Sequence, residues 1–284
     1  MNILEFKTEF ERKIVASGND IATATTYGNS IALFLEHNKA KYDSPLHVTF
    51  EDAENYIIHL VQKKYSASYI NTFVASAKRF YPINGQPRKM TKLEYRKNPP
   101  KCPNILSVDE VKKMIHAPIY LKHQVVINLL YDGALRRSEL INLKVEHISR
   151  SRTITIVNSK FGKSRVIPIS QRTLDLLRKY YKEFKPKLYL LEGDSSKEQY
   201  SAKSIENIVK NTARLCGIHT KVTPHIMRHS KATHLLDNGA SEGYVADFLG
   251  HEEISTTHDY YHRLTIGAMQ RMFDEIDSKL MNAA

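Results

Sequence analysis

Only two of the 284 residues are cysteine, Cys102 and Cys216, far apart and outside C-x-x-C spacing. That scarcity argues against a disulfide framework or a structural zinc site built on thiolates. No apolar run reaches membrane-spanning length, and the opening MNILEFKTEFERK breaks its apolar residues with charge every few positions. Neither a signal peptide nor an anchor is therefore expected, and the chain is placed in the cytoplasm with no membrane partner. Acidic residues are also in deficit, 30 against 42 Lys and Arg, which leaves a net charge of +12 and points to an anionic partner. Nucleic acid leads that class, although a basic surface kept for solubility would give the same sum. What is present suffices for a sizeable core: 42% of residues are hydrophobic, over a length that suits two domains better than one.

The first eighty residues read as four amphipathic helices. Ile3, Leu4, Phe6, Phe10 and Ile14 fall near one stripe of residues 2–16, and residues 22–37 carry Tyr27, Ile31, Leu33, Phe34 and Leu35. Segments 50–64 and 68–81 follow, with Ser17-Gly18-Asn19-Asp20 and Asp43-Ser44-Pro45 as breakers and Thr49 three residues ahead of Asp52 as a capping pair. From Tyr81 to Ile105 the pattern stops at Pro82, Gly85, Pro87, Pro99, Pro100 and Pro103, the composition of a linker. Eight basic residues lie between Lys78 and Lys101 against the single acidic Glu94, a concentration that could follow a phosphate backbone. These features predict a helical domain over residues 1–98, with its basic linker, and a second domain over 99–284.

The second domain opens on a capping box, Ser107 to Glu110, and a nearly all-apolar helix over 122–131 that should be buried. Residues 152–169 switch to alternation: Thr153-Ile-Thr-Ile-Val157 and Val166-Ile-Pro-Ile169 flank a turn over 158–164, which reads as a hairpin. Helices over 171–184 and 201–216, with Leu188–Leu191 as a possible strand between them, complete a mostly helical domain.

The chemistry-bearing types gather between Thr223 and Tyr261, where His225, Arg228, His229, His234, His251, His258, Tyr260 and Tyr261 alternate with apolar positions. Guanidinium grips two phosphate oxygens, imidazole moves a proton near neutral pH, and a phenolate is a nucleophile. Thr223 as N-cap and Pro224 at the first helical position put His225 and Arg228 on one face of a first turn, where free backbone amides already favour phosphate. The His225/His229 pair has the i, i+4 spacing of zinc proteases, but the Glu of H-E-x-x-H is absent and Arg228 would repel a cation. No metal site is expected.

H-I-M-R-H from His225, L-G-H at Leu249–His251 and T-T-H-D-Y ending at Tyr260 resemble, in order, the second motif box of the tyrosine recombinases, the phage integrase family. Upstream, Gly133-Ala-Leu-Arg-Arg-Ser-Glu-Leu140 resembles the family's first box, and Lys160-Phe-Gly-Lys-Ser-Arg-Val-Ile-Pro168 its lysine hairpin. Gly133-Ala134 departs from the Thr-Gly common at that place. The resemblance spans roughly residues 105–265 and implies a mostly α fold: an N-terminal helical core-binding (SAM-like) bundle followed by an α+β catalytic domain with a small β-hairpin.

By that resemblance Tyr260 is the nucleophile on a DNA phosphodiester, Arg136 and Arg228 hold the non-bridging oxygens, and Lys160 protonates the leaving oxygen. His225 contacts the phosphate and takes the tyrosine proton, His251 adds a hydrogen bond, and Glu139, one turn after Arg136, accepts from its guanidinium. Arg137 is expected to be exposed. Candidate DNA contacts are Tyr69, Asn71, Thr72, Ser76, Lys78 and Arg79 on the fourth helix, with Lys89 and Lys163. No cofactor is expected. The implied partners are a double-stranded recombination site with an inverted-repeat core and three more copies of the chain, a homotetramer on two sites at the bacterial nucleoid. Cointegrate resolution for a mobile element is the expected role, because Lys231 and His262-Arg263 depart from the usual Xer pattern. Integration or excision, Xer-type dimer resolution and a topoisomerase IB-like activity are the alternatives. Apolar residues from Ile266 to Leu280 at three- and four-residue intervals predict a C-terminal helix with one sticky face, able to fold back or, as the resemblance favours, to dock on a neighbour.

Overall fold

Residues 2–97, 104–157, 164–193, 198–250 and 266–282 are described by a computed structural model. The chain divides into two compact units, Met1–Lys101 and Cys102–Ala284. Among the described residues no helix is long and apolar enough to cross a membrane.

In the first unit, helices α1 (Ile3–Ala16), α2 (Ile21–His37), α3 (Phe50–Gln62) and α4 (Ala67–Ile83) follow the apolar periodicity. Their starts are set by side chains that accept orphan amides: Asp20 from Thr23, Ser66 from Tyr69, and a complete Thr49/Asp52 capping box. Phe10, Ile14, Phe34, Phe73 and Phe80 meet in one core, with Phe10 edge-on to Phe80 at 5.2 Å and Phe34 against Phe73 at 4.9 Å. Leu4 and Leu33 leave the expected stripe. Each is one residue from a core-facing position, hence about 100° round the helix, and faces solvent.

The stretch expected to be linker begins later than its prolines suggest. Helix α4 runs through Pro82 to Ile83, and Met90 and Leu93 are buried in the same core. Asn71 on α4 secures this return, donating to the Arg96 carbonyl at 2.9 Å and accepting from its amide at 2.7 Å.

In the second unit, α5 (Val108–His116) starts at the Ser107/Glu110 capping box, and α6 (Leu121–Asp132) is buried from Val125 onward. Around α6 pack α5, α8 (Gln171–Phe184), α9 (Ala202–Leu215) and α10 (Pro224–Asp237). The short α7 (Arg137–Ile141) precedes an antiparallel sheet in the order β1 (Ile148–Ser149), β2 (Thr153–Val157), β3 (Ser164–Pro168), and the β2–β3 register runs from Thr153 opposite Pro168 to Val157 opposite Ser164. Leu188–Leu191 is not a strand. It forms an isolated bridge, Tyr189 to Lys144, with Leu190 donating to the Leu143 carbonyl at 2.7 Å. The fold is thus mostly helical with one small antiparallel sheet.

Helix α11 (Glu242–Leu249) ends on left-handed Gly250. The C-terminal helix Ile266–Asn282 folds back on its own unit: Phe273 and Ile276 are buried in the core, and Asp274 takes both guanidinium arms of Arg152 at 2.8 Å. Deeper, fully buried Lys231 of α10 lies 3.8 Å from Asp132 and 4.0 Å from Asp277, with its ammonium over the Phe273 ring at 4.4 Å.

Candidate active site

Three segments converge on one carboxylate. After α6, Gly133 caps the helix and buried Ala134 takes a left-handed φ of 44°, a strained conformation for a residue with a Cβ, where the family commonly has Gly. That reversal delivers Arg136 to the N-cap of α7, and Glu139 folds back to accept the Arg136 amide at 2.8 Å and its guanidinium Nη1 at 2.7 Å. Arg165 of β3 grips the same carboxylate with a fork, Nη1 to Oε1 at 2.8 Å and Nη2 to Oε2 at 2.9 Å. Arg228 completes the ring, its Nη1 3.7 Å from Glu139 Oε2.

Thr223 accepts the Ile226 amide and Pro224 opens α10, so Arg228 sits in the second turn, buried. It donates to the Ala134 carbonyl at 2.7 Å and the Leu249 carbonyl at 2.6 Å, joining the first-box turn to the end of α11. Arg136 is the more accessible cation and donates to the Gly250 carbonyl at 3.2 Å. His225 and His229, one turn apart at the mouth, share a hydrogen bond between their Nε2 atoms at 2.8 Å. Such a contact needs one donor and one acceptor, so both rings cannot be imidazolium at once.

The electrostatics follow from the count of three guanidinia on one carboxylate. Burial raises the Glu139 pKa, but the hydrogen bonds and charge of Arg165, then those of Arg136, outweigh it and hold the carboxyl at about 2. Burial and the neighbouring Arg136 bring Arg228 down to about 9, still cationic at neutral pH. Burial, then the charges of His229, Arg228 and Arg136, lower His225 below its ordinary 6.5, which keeps it a neutral base. The arrangement can bind an oxyanion at Arg136 and accept a proton beside it.

Of the residues expected in the site, Arg136, Glu139, His225 and Arg228 lie in this region, while Lys160, Lys163, His251 and Tyr260 lie outside the described residues. Arg137 is exposed and pairs with Glu206 of α9. Arg165 carried no role in the sequence reading. Its one signal was a charge directly ahead of the β-branched run that begins at Val166.

The expected DNA-facing set on α4 needs correction. Ser76 is fully buried and donates to the Phe73 carbonyl, because it falls on the core side of the helix. Asn71 has its amide engaged by Arg96. Lys89 donates to the Leu46 carbonyl and stacks its ammonium on Tyr81 at 5.2 Å, and burial lowers its pKa. Arg79 is exposed, and Tyr69, Thr72 and Lys78 are half-buried.

Residues 104–265 match the model of the phage integrase family, more than half of the chain. The chain is 34% identical over 262 residues to tyrosine recombinase XerA of Pyrococcus furiosus, covering 90% of this chain and 88% of that protein. To XerA of Pyrococcus horikoshii it is 33% identical over 236 residues, 82% of each. Among solved structures, the Tn1549 transposon integrase in complex with transposon right end DNA superposes over the full length of both chains at a TM-score of 0.69 and 18% identity, a likeness of fold. With a ring of arginines where the first and second boxes meet, and a family match running from the second unit's start through Tyr260, the chain belongs to the phage integrase family: it is a DNA-acting tyrosine recombinase of the Xer and integrase type.

Proposed function

We propose that the chain is a site-specific recombinase that cuts and rejoins DNA through a 3′-phosphotyrosyl intermediate and a Holliday junction, and that it resolves transposon cointegrates. The observation that carries the chemistry is the Arg136, Arg228 and Arg165 ring on Glu139, a cationic excess with Arg136 at its open side. Tyr260 Oη attacks the scissile phosphorus, the P–O5′ bond breaks, His225 receives the phenolic proton and Lys160 gives one to the leaving 5′-oxygen. Arg136 and Arg228 stabilise the charge of the pentavalent transition state, and His251 adds a hydrogen bond. The 5′-hydroxyl of a partner duplex then reverses these steps. Phosphodiester energy is conserved throughout, so the reaction runs without ATP, and the guanidinia and Lys160 supply the charge that a metal ion would bring.

The first unit serves as the core-binding clamp, with Tyr69, Thr72, Lys78 and Arg79 towards DNA and Lys163 contributing from the catalytic unit. Four copies act on two inverted-repeat sites, and the C-terminal helix exchanges its seat on its own unit for the same seat on a neighbour. Xer-type dimer resolution is the second reading, favoured by the XerA names of the two archaeal relatives.

Nicked suicide duplexes tiled across the DNA flanking the gene test the chemistry, in EDTA and without ATP. The full chain should form a denaturant-resistant adduct. Tyr260→Phe should bind without forming it, and Tyr261→Phe should form it still, since the T-T-H-D-Y spacing selects Tyr260. Loss only in Tyr261→Phe would move the nucleophile by one residue, and adduct without exchange between two duplexes would favour the topoisomerase-like alternative. A plasmid carrying two sites in direct repeat should separate into two circles if the role is resolution.

A further inference from the structure

We infer that Arg165 is the positioning residue of this active site, acting through Glu139 to aim Arg136 and fixing the end of α11 at Phe248–Gly250 at the same time. The inference rests on the recombinase reading above. Its basis is that one side chain from β3 touches both motif-box segments. The guanidinium fork closes on both Glu139 oxygens at 2.8 and 2.9 Å, while its Nε donates to the Phe248 carbonyl at 3.1 Å, just ahead of Gly250. Its side chain is only 15% exposed against 40% for Arg136, so Arg165 is held within the protein while Arg136 remains the accessible guanidinium.

The geometry leaves Glu139 little choice. With Oε1 shared between Arg136 Nη1 and Arg165 Nη1, and Oε2 between the Arg136 amide and Arg165 Nη2, the carboxylate plane is fixed from both sides. Without Arg165 the carboxylate is free to swing towards Arg136 or Arg228 and to draw one of them from the phosphate. A planar fork fixes a plane in a way that a lysine ammonium cannot.

Gly250 supports the same assignment. A Cβ there would stand 2.9 Å from Arg165 Cδ and 3.0 Å from its Nη1, and its φ of +64° is in the left-handed region. The turn before His251 is therefore shaped around the Arg165 side chain, and the Gly250 carbonyl on that turn receives Arg136. Because Arg165 is the second residue of β3, opposite Ile156, it also ties the sheet to the two box segments.

The test uses the full chain on the nicked duplex that wild-type protein captures best, with single-turnover adduct formation and equilibrium site binding measured separately. Arg165→Ala should slow adduct formation about 10²-fold, the cost of small misplacement at a reacting centre, while binding changes less than about threefold. Arg165→Lys should recover part of the rate. In a Glu139→Gln background, Arg165→Ala should add less than about threefold, because the two act as one unit. Full additivity, or an unchanged rate with wild-type protein active, overturns the inference alone. Equal loss of binding and rate makes the role structural and overturns it as well. A wild-type chain that forms no adduct on any duplex removes the recombinase reading and this inference together.

Discussion

Two clusters in the second unit use the same ingredients in opposite proportion. At Glu139 three guanidinia surround one carboxylate, nearly every contact is a hydrogen bond, and Arg136 opens to solvent. At Lys231 one ammonium lies between two carboxylates at 3.8 and 4.0 Å, sealed under the rings of Phe273 and Tyr131. The first cluster has cationic excess and a guanidinium that is 40% exposed. The second has neither room nor hydrogen-bond geometry, and what it holds is the C-terminal helix, through Asp277, against α6 and α10. Exposure and stoichiometry, more than residue type, thus separate a site from a fastening.

Removing the cation of the sealed cluster is the most severe way to break that comparison. Lys231→Met leaves Asp132 and Asp277 buried together and should destabilise the unit by about 3–5 kcal/mol in urea unfolding. Adding Asp277→Asn should restore more than half. A single Lys231→Met variant as stable as wild type would mean the lysine is not pairing with either carboxylate.

Acid should separate the clusters by sign. Glu139 is depressed from 4.5 to about 2, so its contribution is complete above pH 4.5 and fades as pH falls towards 2, a loss of about 3 kcal/mol. Asp277 is raised by burial and by Asp132, so its contribution is complete below 3.8 and fades as pH rises through its folded value. Unfolding free energy measured from pH 5 to pH 2.5 should fall less in Glu139→Gln than in wild type; parallel curves would remove Glu139 from the account.

A smaller effect concerns the base at the open cluster. Since burial and then its cationic neighbours lower His225, adduct formation should stay level through neutral pH and fall about tenfold per unit only below a midpoint under 6.5. A midpoint at or above 6.5, or no midpoint in the single-turnover profile, would assign the proton elsewhere. Smallest of all is Arg137→Ala. Its partner Glu206 is exposed with it, and the variant should lose less than about 1 kcal/mol of stability and keep adduct formation near wild type.

Local rules made much of this molecule legible. Thr223-Pro224 announced the start of α10, Ser107 and Glu110 that of α5, and the Arg136/Glu139 pairing needed only a spacing of three. The failures share one physical origin, contact between residues distant in sequence. Arg165 reaches Glu139 across 26 positions, Lys231 reaches Asp132 only through packing of α10 on α6, and Asn71 meets Arg96 across 25. Periodicity places a residue on a face, but not which distant backbone its polar atoms will find. Leu188–Leu191 failed likewise, since a β-branched or apolar run becomes a strand only with a partner of matching length.

The burial of Met90 and Leu93 bears on where this polypeptide can be cut. A fragment stopping at Ile83 would satisfy helix α4 yet leave two apolar sockets open and Asn71 without its backbone partner. A fragment ending at Lys97 retains both. Limited proteolysis of the full chain should therefore spare the peptide bonds between Ile83 and Arg96 despite the Pro and Gly residues there, since proteases need a segment that can be drawn out of its packing. Helix α4 passes Pro82 and ends at Ile83, whereas the packing of the N-terminal unit continues to Leu93, the last side chain its core encloses, and to Arg96, whose backbone Asn71 ties down.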